Sequence, residues 1–167
     1  MFTSPTTRRV TGLAVGGLAL LLAGSQTGAA ERCVDVRGSY TEQLASGPDC
    51  TSPVDLCIEG TYRGSIRGDF SGAASALIPT ADTPTTGVVL FISDARIDAQ
   101  IGDRNGELII KNSGAFHTTG PGEIVDLQTI VGGTGELAEA SGALRAEGTF
   151  TAEAGGRSTY VGTVCLP

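Results

Sequence analysis

From residue 54 to the C-terminus, the sequence consists of short runs of β-branched and aromatic residues separated by glycine. Such runs are typical of strands, and no stretch here keeps the apolar period of an amphipathic helix. The third run is long enough to bend near Ser93 and Asp94 and count as two. We therefore expect an all-β domain of seven or eight strands. The runs are residues 56–66, 70–78, 87–101, 107–116, 123–131, 143–152 and 158–166.

The connections between the runs are short and rich in glycine, which is typical of hairpins. Arg67-Gly68 joins the first pair, and residues 102–106 contain an Asn-Gly step. Asn-Gly supplies the positive φ angles that tight hairpin turns need. The one long polar connection, residues 79–86, contains Pro84, which excludes a helix or a central strand. We expect this loop to cover one end of the domain.

Alternation along the first run predicts a closed antiparallel barrel of about eight strands. Leu56, Ile58 and Tyr62 share one face of this run, and polar residues occupy the other. One apolar and one polar face are typical of a half-buried antiparallel strand. Pairing of the first run with the last would remove the exposed edges of the sheet. We therefore expect residues 54–167 to form the barrel domain.

All four cysteines follow the N-terminal apolar segment, and their even number suggests two disulfides in an exported chain. A zinc site is the alternative, but no Cys-x-x-Cys pair is present. If the first and last runs pair, a bridge between Cys57 and Cys165 would seal the barrel. That bridge leaves Cys33 with Cys50, which would pin residues 31–53 as an N-terminal arm.

The N-terminus has the order of a secretory signal peptide. Arg8 and Arg9 precede an apolar stretch at residues 13–23, and small residues up to Ala30 offer a cleavage site. Eleven apolar residues are too few for a membrane span, which needs about 20. We expect residues 1–30 to be removed and the protein to be secreted. Twin-arginine export and acylation of Cys33 are weaker alternatives, because neither segment has the expected flanking residues.

The charge balance bears on possible partners. Without Arg8 and Arg9, nine basic residues remain of the 11, against 18 acidic ones, which gives a net charge of −9. Nucleic acid and anionic membranes would repel such a chain at long range. We therefore expect neither as a partner after cleavage of the signal peptide.

The segment from Ile130 to Phe150 reads IVGGTGELAEASGALRAEGTF. It resembles the glycine pattern of the allene oxide cyclase-like barrel superfamily, which includes plant allene oxide cyclases and dirigent proteins. The stretch from Pro79 to Phe91 is similar to small exported actinobacterial proteins of unassigned activity. The resemblance covers roughly residues 57–167. It implies an eight-stranded barrel, often trimeric, whose cavity steers cyclisation or coupling of a small organic substrate without a cofactor.

Candidate site residues lie on two runs. Asp94, Arg96 and Asp98 share a face of the third run, and Asp126 lies in the fifth with Gln128 nearby. These side chains are candidates for the polar mouth of a cavity, where apolar walls would raise the pKa of a carboxyl group and suit it to acid or base chemistry. The alternative is a solvated charged face.

Three other motifs favour structural roles. Residues 132–135 read Gly-Gly-Thr-Gly, but no lysine follows as in a phosphate-binding loop. Residues 103–107 resemble a fragment of a calcium loop but lack its spaced carboxylates. His117 is the only histidine and lies near the end of a run, where a solvated side chain is the alternative to a catalytic base. We expect no metal site.

The third run also bears on assembly, because both of its faces are apolar in the first half. Leu90 and Ile92 share one face, and Val89 and Phe91 the other. A strand buried on both sides suggests that one side contacts another subunit. The leading hypothesis is therefore an exported binding module for a small apolar or aromatic molecule or a protein partner. A cofactor-free cyclase or dirigent-type enzyme and a structural cell-envelope protein are the alternatives.

Overall fold

Eight antiparallel strands form a closed barrel, in which each strand pairs with its neighbours in sequence and the first pairs with the last. The computed structural model describes residues 32–167; the expected signal peptide and its cleavage site lie outside this range. The predicted barrel is thus confirmed. The strands are β1 (Arg32–Ala45), β2 (Cys57–Gly64), β3 (Ile66–Pro79), β4 (Val88–Ile101), β5 (Arg104–His117), β6 (Glu123–Gly133), β7 (Ser141–Thr151) and β8 (Gly155–Leu166).

One end of the barrel is filled by apolar side chains. Strand residues with β-branched or leucine side chains meet there, and Leu137 covers them from a 3-10 helix (Gly135–Leu137) between β6 and β7. Burial of this surface is the main stabilising contribution, at about 25 cal/mol per Å² of apolar area. The largest of these fully buried side chains are Ile66, Ile97, Leu108, Ile110, Leu137, Leu144 and Val164.

The predicted N-terminal arm is wrong, because most of it is strand β1. This strand pairs with β2 on one side and with β8 on the other. Val36 and Tyr40 point into the barrel, and Arg37 and Thr41 face solvent. The expected boundary at residue 54 therefore cuts off a strand that the closed barrel requires.

Both predicted disulfide pairings are also wrong, although two disulfides form. Cys33 is bonded to Cys165, its register partner across β1 and β8. Cys50 is bonded to Cys57 and closes the connection between β1 and β2. The error follows from the arm, because β1 and not β2 is the strand that meets β8. Ser52 also fixes this connection, since its hydroxyl donates to the carbonyl of Ala74 over 2.6 Å.

Several local expectations need correction. The bend expected near Ser93 and Asp94 does not divide the third run, because β4 is one strand that pairs with β5 along its full length. Between β3 and β4 the register shifts on β3, between Ala74 and Ala76. The turn between β4 and β5 is Gly102-Asp103, where Gly102 has a φ of 62°, so Asn105-Gly106 belongs to β5.

The loop after β3 contains a one-turn helix α1 (Thr83–Thr86), in which Pro84 lies in the first turn, where proline is tolerated. The turn expected at residues 132–135 is only partly present, because Gly132 and Gly133 end β6, Thr134 is a bend and Gly135 begins the 3-10 helix.

Candidate functional site

The end of the barrel opposite the packed core holds a cavity of about 310 Å³. Its walls come from the parts of the strands that lie away from the packed core and from the connection after β5. The loop at residues 79–86, which the sequence predicts to cover an end of the barrel, contributes no residue to the cavity lining. Most wall side chains are apolar; they include Leu56, Ile58, Leu77, Phe91, Phe116, Ile124 and Phe150.

Phe91 and Phe116 form an aromatic pair in the cavity wall. The two rings lie with their centroids 6.1 Å apart and their planes tilted by 53°. Gly114 makes room for them and for β6, because a Cβ atom there would lie 2.8 Å from the ring of Phe91 and 2.2 Å from the carbonyl oxygen of Val125. A methyl group cannot occupy that space without displacing the ring, so glycine at this position preserves the wall.

An aromatic cluster separates the cavity from the packed core. Tyr40 and Tyr62 stack with ring centroids 4.8 Å apart, and Phe70 meets both edges-on. Tyr160 lies below them, and its hydroxyl accepts a hydrogen bond from the amide of Ile66 over 2.9 Å. Stacked and edge-on ring pairs add about 0.5–1.5 kcal/mol each beyond their buried area. Tyr40, Tyr62 and Phe70 of this cluster form the floor of the cavity.

A chain of hydrogen bonds runs from this floor to a buried carboxyl group. The Tyr62 hydroxyl donates to Gln128 Oε1 over 2.9 Å, and Gln128 Nε2 donates to Asp126 Oδ2 over 3.0 Å. Burial raises the pKa of Asp126 to about 6, and the hydrogen bond from Gln128 acts in the opposite direction. Asp126 is therefore held in place with its second oxygen, Oδ1, unpaired.

Glu42 supplies a second carboxyl group to the same cavity, from β1. Its side chain is 8% exposed, and its Oε1 atom has no hydrogen-bond partner. Burial, with a smaller contribution from the charge of Asp126, raises the pKa of Glu42 to about 7. Gly156 lies against it, since a Cβ atom there would fall 2.9 Å from Glu42 Oε1. The site thus combines two carboxyl groups that titrate near neutral pH.

A neutral polar pair lines the wall on β4 and β5. Asn112 Nδ2 donates to Ser93 Oγ over 3.1 Å, and Asn112 Oδ1 has no partner. Both residues are buried and line the cavity. Asn112 lies opposite Gln128 in the register of β5 and β6, which places it on the same side as Asp126.

Of the four candidate site residues, only Asp126 lines the cavity. Asp94, Arg96 and Asp98 point away from it, on the outer face of β4, so their predicted position at the mouth is wrong. Asp94 pairs there with Lys111, and Arg96 with Glu107. The inward face of β4 begins with Val89 and Phe91, and its alternation continues without interruption.

His117 lies at the rim of the cavity. It is exposed, and its Nδ1 atom is 4.0 Å from Glu123 Oε2. Neither buried carboxyl group is among its ion-pair partners in the part of the chain that the structure describes. Because His117 is exposed at the rim, its position suits contact with an incoming molecule more than proton transfer beside Glu42.

The sequence interpretation missed Glu42, Tyr40 and Asn112. A signal for β1 was available, because Val34, Val36, Tyr40 and Glu42 recur at even positions. Asn112 lies in a run that was correctly predicted, but nothing in the sequence marks its amide as facing a cavity. Among residues 32–167, no group of His, Cys, Asp and Glu side chains is arranged to hold a metal ion. Within the same range, no helix has the length and apolarity to cross a membrane.

Comparison with known proteins identifies the family. The family model described as "Protein of unknown function (DUF3224)" matches residues 33–162, which include all of β1 except its first residue and most of β8. The chain belongs to the DUF3224 family. A search of curated proteins found no match. The match of this DUF3224 chain to its family model begins at Cys33, in agreement with a barrel that starts at β1.

A solved structure of a pterocarpan synthase dirigent protein is similar to this DUF3224 chain at 13% sequence identity. The match has a TM-score of 0.34 and covers 82% of this chain and 86% of that one. The barrel described above rests on the strand pairing of the chain itself. The wider resemblance to allene oxide cyclases stays a prediction.

Proposed function

We propose that the protein is a binding module that holds a small apolar or aromatic molecule in the cavity. One observation carries the proposal: the barrel is closed and packed at one end, whereas the other end encloses about 310 Å³ between apolar walls. A barrel filled by its own side chains would enclose nothing. Known ligand pockets begin at about 300 Å³, and an apolar cavity of roughly 150 Å³ holds benzene. The volume therefore suits a molecule of one or two rings.

The walls support an aromatic occupant. Phe91, Phe116 and Phe150 line the cavity from three strands. Aromatic rings bind other rings in offset or edge-on geometry over about 4.5–7 Å between centroids. The floor of Tyr40 and Tyr62 supplies further ring surface below.

We propose further that the protein acts outside the cell. Two disulfides and no free cysteine occur in the described part of the chain. Disulfides persist in oxidising compartments, in agreement with the signal peptide expected at residues 1–30.

The binding test uses methylnaphthalene as an uncharged aromatic probe, measured by isothermal titration. The wild type should bind it, and Ala95→Phe should not, because Ala95 lines the cavity and the new ring would fill it. Ala143→Phe is the matched control, since Ala143 is exposed on the outer face of β7. Near-ultraviolet circular dichroism would show that each variant is folded. Equal binding by both variants would place the site elsewhere and refute the proposal.

A cofactor-free enzyme is the second candidate, and the two carboxyl groups favour it. General acids and bases work best when their pKa lies near the operating pH, and burial moves both Glu42 and Asp126 towards neutrality. Mass spectrometry of small molecules that co-purify with the native secreted protein would supply candidate substrates. An enzyme would convert one of them, and Glu42→Gln with Asp126→Asn would retain binding but lose conversion. A binding module would return the molecule unchanged.

A further inference from the structure

The cavity contains three buried oxygen atoms that lack hydrogen-bond donors. They are Glu42 Oε1, Asp126 Oδ1 and Asn112 Oδ1, on β1, β6 and β5. Each of these residues is 8% exposed. A buried polar atom without a partner costs about 1–3 kcal/mol, and native proteins leave few of them. Three such oxygens around one cavity indicate that its occupant supplies donors.

The buried groups around the cavity that can carry a charge are all acidic. Its charged or titratable lining consists of Glu42 and Asp126, of the hydroxyl groups of Tyr40 and Tyr62 at the floor, and of His117 at the rim. Neither arginine nor lysine is among the lining residues of this cavity. The remaining polar side chains of the lining, Ser93, Asn112, Thr118, Gln128 and Thr151, are neutral. The hydroxyl of Ser158 is also buried without a partner, but Ser158 is not among the residues that line the cavity. Nothing in the described lining other than the exposed His117 offsets an ionised carboxylate.

We propose that the occupant is a small apolar molecule with a protonated amine, whose ring contacts the phenylalanine wall and whose nitrogen reaches the unpaired oxygens. This inference rests on the proposed binding function and names the class of ligand. An ammonium group carries three N–H donors and a positive charge. A hydroxyl group carries one donor and no charge. The ammonium therefore matches both the number of unpaired oxygens and the sign of the site.

The pH dependence follows from the carboxyl groups. Burial raises the pKa of both, so at pH 5 both are largely neutral and attract an ammonium group weakly. As the pH rises through 6 to 7 they ionise, and each ionisation strengthens the attraction. Conversely, a bound cation stabilises the ionised form and lowers both pKa values. Amine binding near pH 6.5 should therefore release protons.

Three probes with one ring system separate the contributions: methylnaphthalene, naphthalenemethanol and naphthylmethylamine, which stays protonated up to pH 8. Isothermal titration at pH 8 should show the amine binding at least about tenfold more tightly than the alcohol, which corresponds to about 1.4 kcal/mol. At pH 5 the difference should disappear. Titration near pH 6.5 in buffers of different ionisation enthalpy should detect the released protons.

Matched variants test the assignment to these oxygens. Glu42→Gln with Asp126→Asn preserves shape and should remove the preference for the amine while leaving the affinity for methylnaphthalene within about twofold. The control, Asp94→Asn with Glu147→Gln, removes two charges from the outer face, where both side chains are exposed. It should keep the preference, because screened surface charges act weakly over a Debye length of about 8–10 Å.

The outcomes separate the two proposals. If methylnaphthalene and the alcohol bind but the amine binds no more tightly at pH 8, the amine proposal is wrong and the binding function stands. If the outer-face control variant loses the preference for the amine as fully as the cavity variant, the net negative charge of the protein causes the preference. The amine proposal is then wrong as well. If none of the three probes binds, the proposed function itself fails.

Discussion

Glu42 on β1 and Asp126 on β6 face one cavity from separate strands of the barrel, and the charge of Asp126 adds to burial in raising the pKa of Glu42. Neither residue is near the other in sequence, so the closed barrel alone brings them together. Two carboxyl groups buried beside each other oppose ionisation of the pair. The cavity therefore has a stability cost at neutral pH that a filled barrel would avoid.

Replacement of Glu42 by glutamine should stabilise the protein above neutral pH. The folded pKa of about 7 lies above the ordinary value of 4.5, so the unfolded chain ionises first as the pH rises. Stability is thus lost between pH 4.5 and 7 in the wild type and stays lower above that range. Urea unfolding at pH 8 should show Glu42→Gln more stable by about 1–3 kcal/mol, with little difference at pH 4.

Glu147→Gln is the control for this experiment. Glu147 is exposed on β7 and pairs with Arg145 over 2.8 Å. Exposed ion pairs contribute roughly 0–1 kcal/mol, so the unfolding free energy of this variant should differ little from that of the wild type. The difference between the two should be the same at pH 4 and pH 8. An equal gain in both variants would assign the effect to net charge and not to the cavity.

The two disulfides should differ in their effect on stability. Cys33–Cys165 has a sequence separation of 132, against 7 for Cys50–Cys57. The chain-entropy model gives somewhat more than about 4.7 kcal/mol for a loop above 100 residues and roughly 2.5 kcal/mol for one of about eight. The double change Cys33→Ser with Cys165→Ser should therefore destabilise more than Cys50→Ser with Cys57→Ser, measured by thermal unfolding. The reverse order, or a Cys57–Cys165 peptide in a non-reducing map, would contradict the Cys33–Cys165 bond between β1 and β8.

Export gives a prediction for the intact secreted chain. Its mass should correspond to a start at or near Glu31, less four hydrogens for two disulfides. Mass spectrometry before and after reduction measures both quantities. A retained N-terminal segment, free thiols or a lipid adduct on Cys33 would remove the argument for an oxidising compartment.

We predict self-association through the outer face of β4 to β6, because apolar side chains are exposed on it. Leu90, Ile92, Val125 and Leu127 are 40–50% exposed there and form an outer apolar patch. Ile92 and Leu127 both lie opposite Ser113, which places them in one cross-strand row with β5 between them. Ile92→Asp should lower the mass measured by light scattering without unfolding the barrel. A monomeric wild type at all concentrations would show that the patch has another role.

Phe91 shows how the fold was predictable while its faces were not. The sequence indicates correctly that both sides of β4 are apolar, but period-two alternation does not say which side faces inward. The structure places Phe91 in the cavity and Ile92 outside. The same ambiguity placed Asp94, Arg96 and Asp98 at a mouth that they do not reach.

Asp126 was predicted, because its run alternates clearly between Ile124 and Ile130. Glu42 was missed because glycine and serine at positions 38 and 39 interrupt the apolar pattern of β1. That interruption has a structural reason: a Cβ atom at Gly38 would lie 2.5 Å from the Tyr160 hydroxyl. The residue that allows close packing is also the one that weakens the sequence signal.

The most direct test of the cavity account is a titration of the wild-type protein with methylnaphthalene followed by NMR. Methyl and aromatic signals of cavity residues such as Ile124, Phe91 and Phe116 should shift in a saturable manner, because ring currents act over short distances. Signals of Val161 and Leu127, which are exposed on the outer face, should stay unchanged. Shifts confined to the outer apolar patch, with the cavity signals unmoved, would contradict the account.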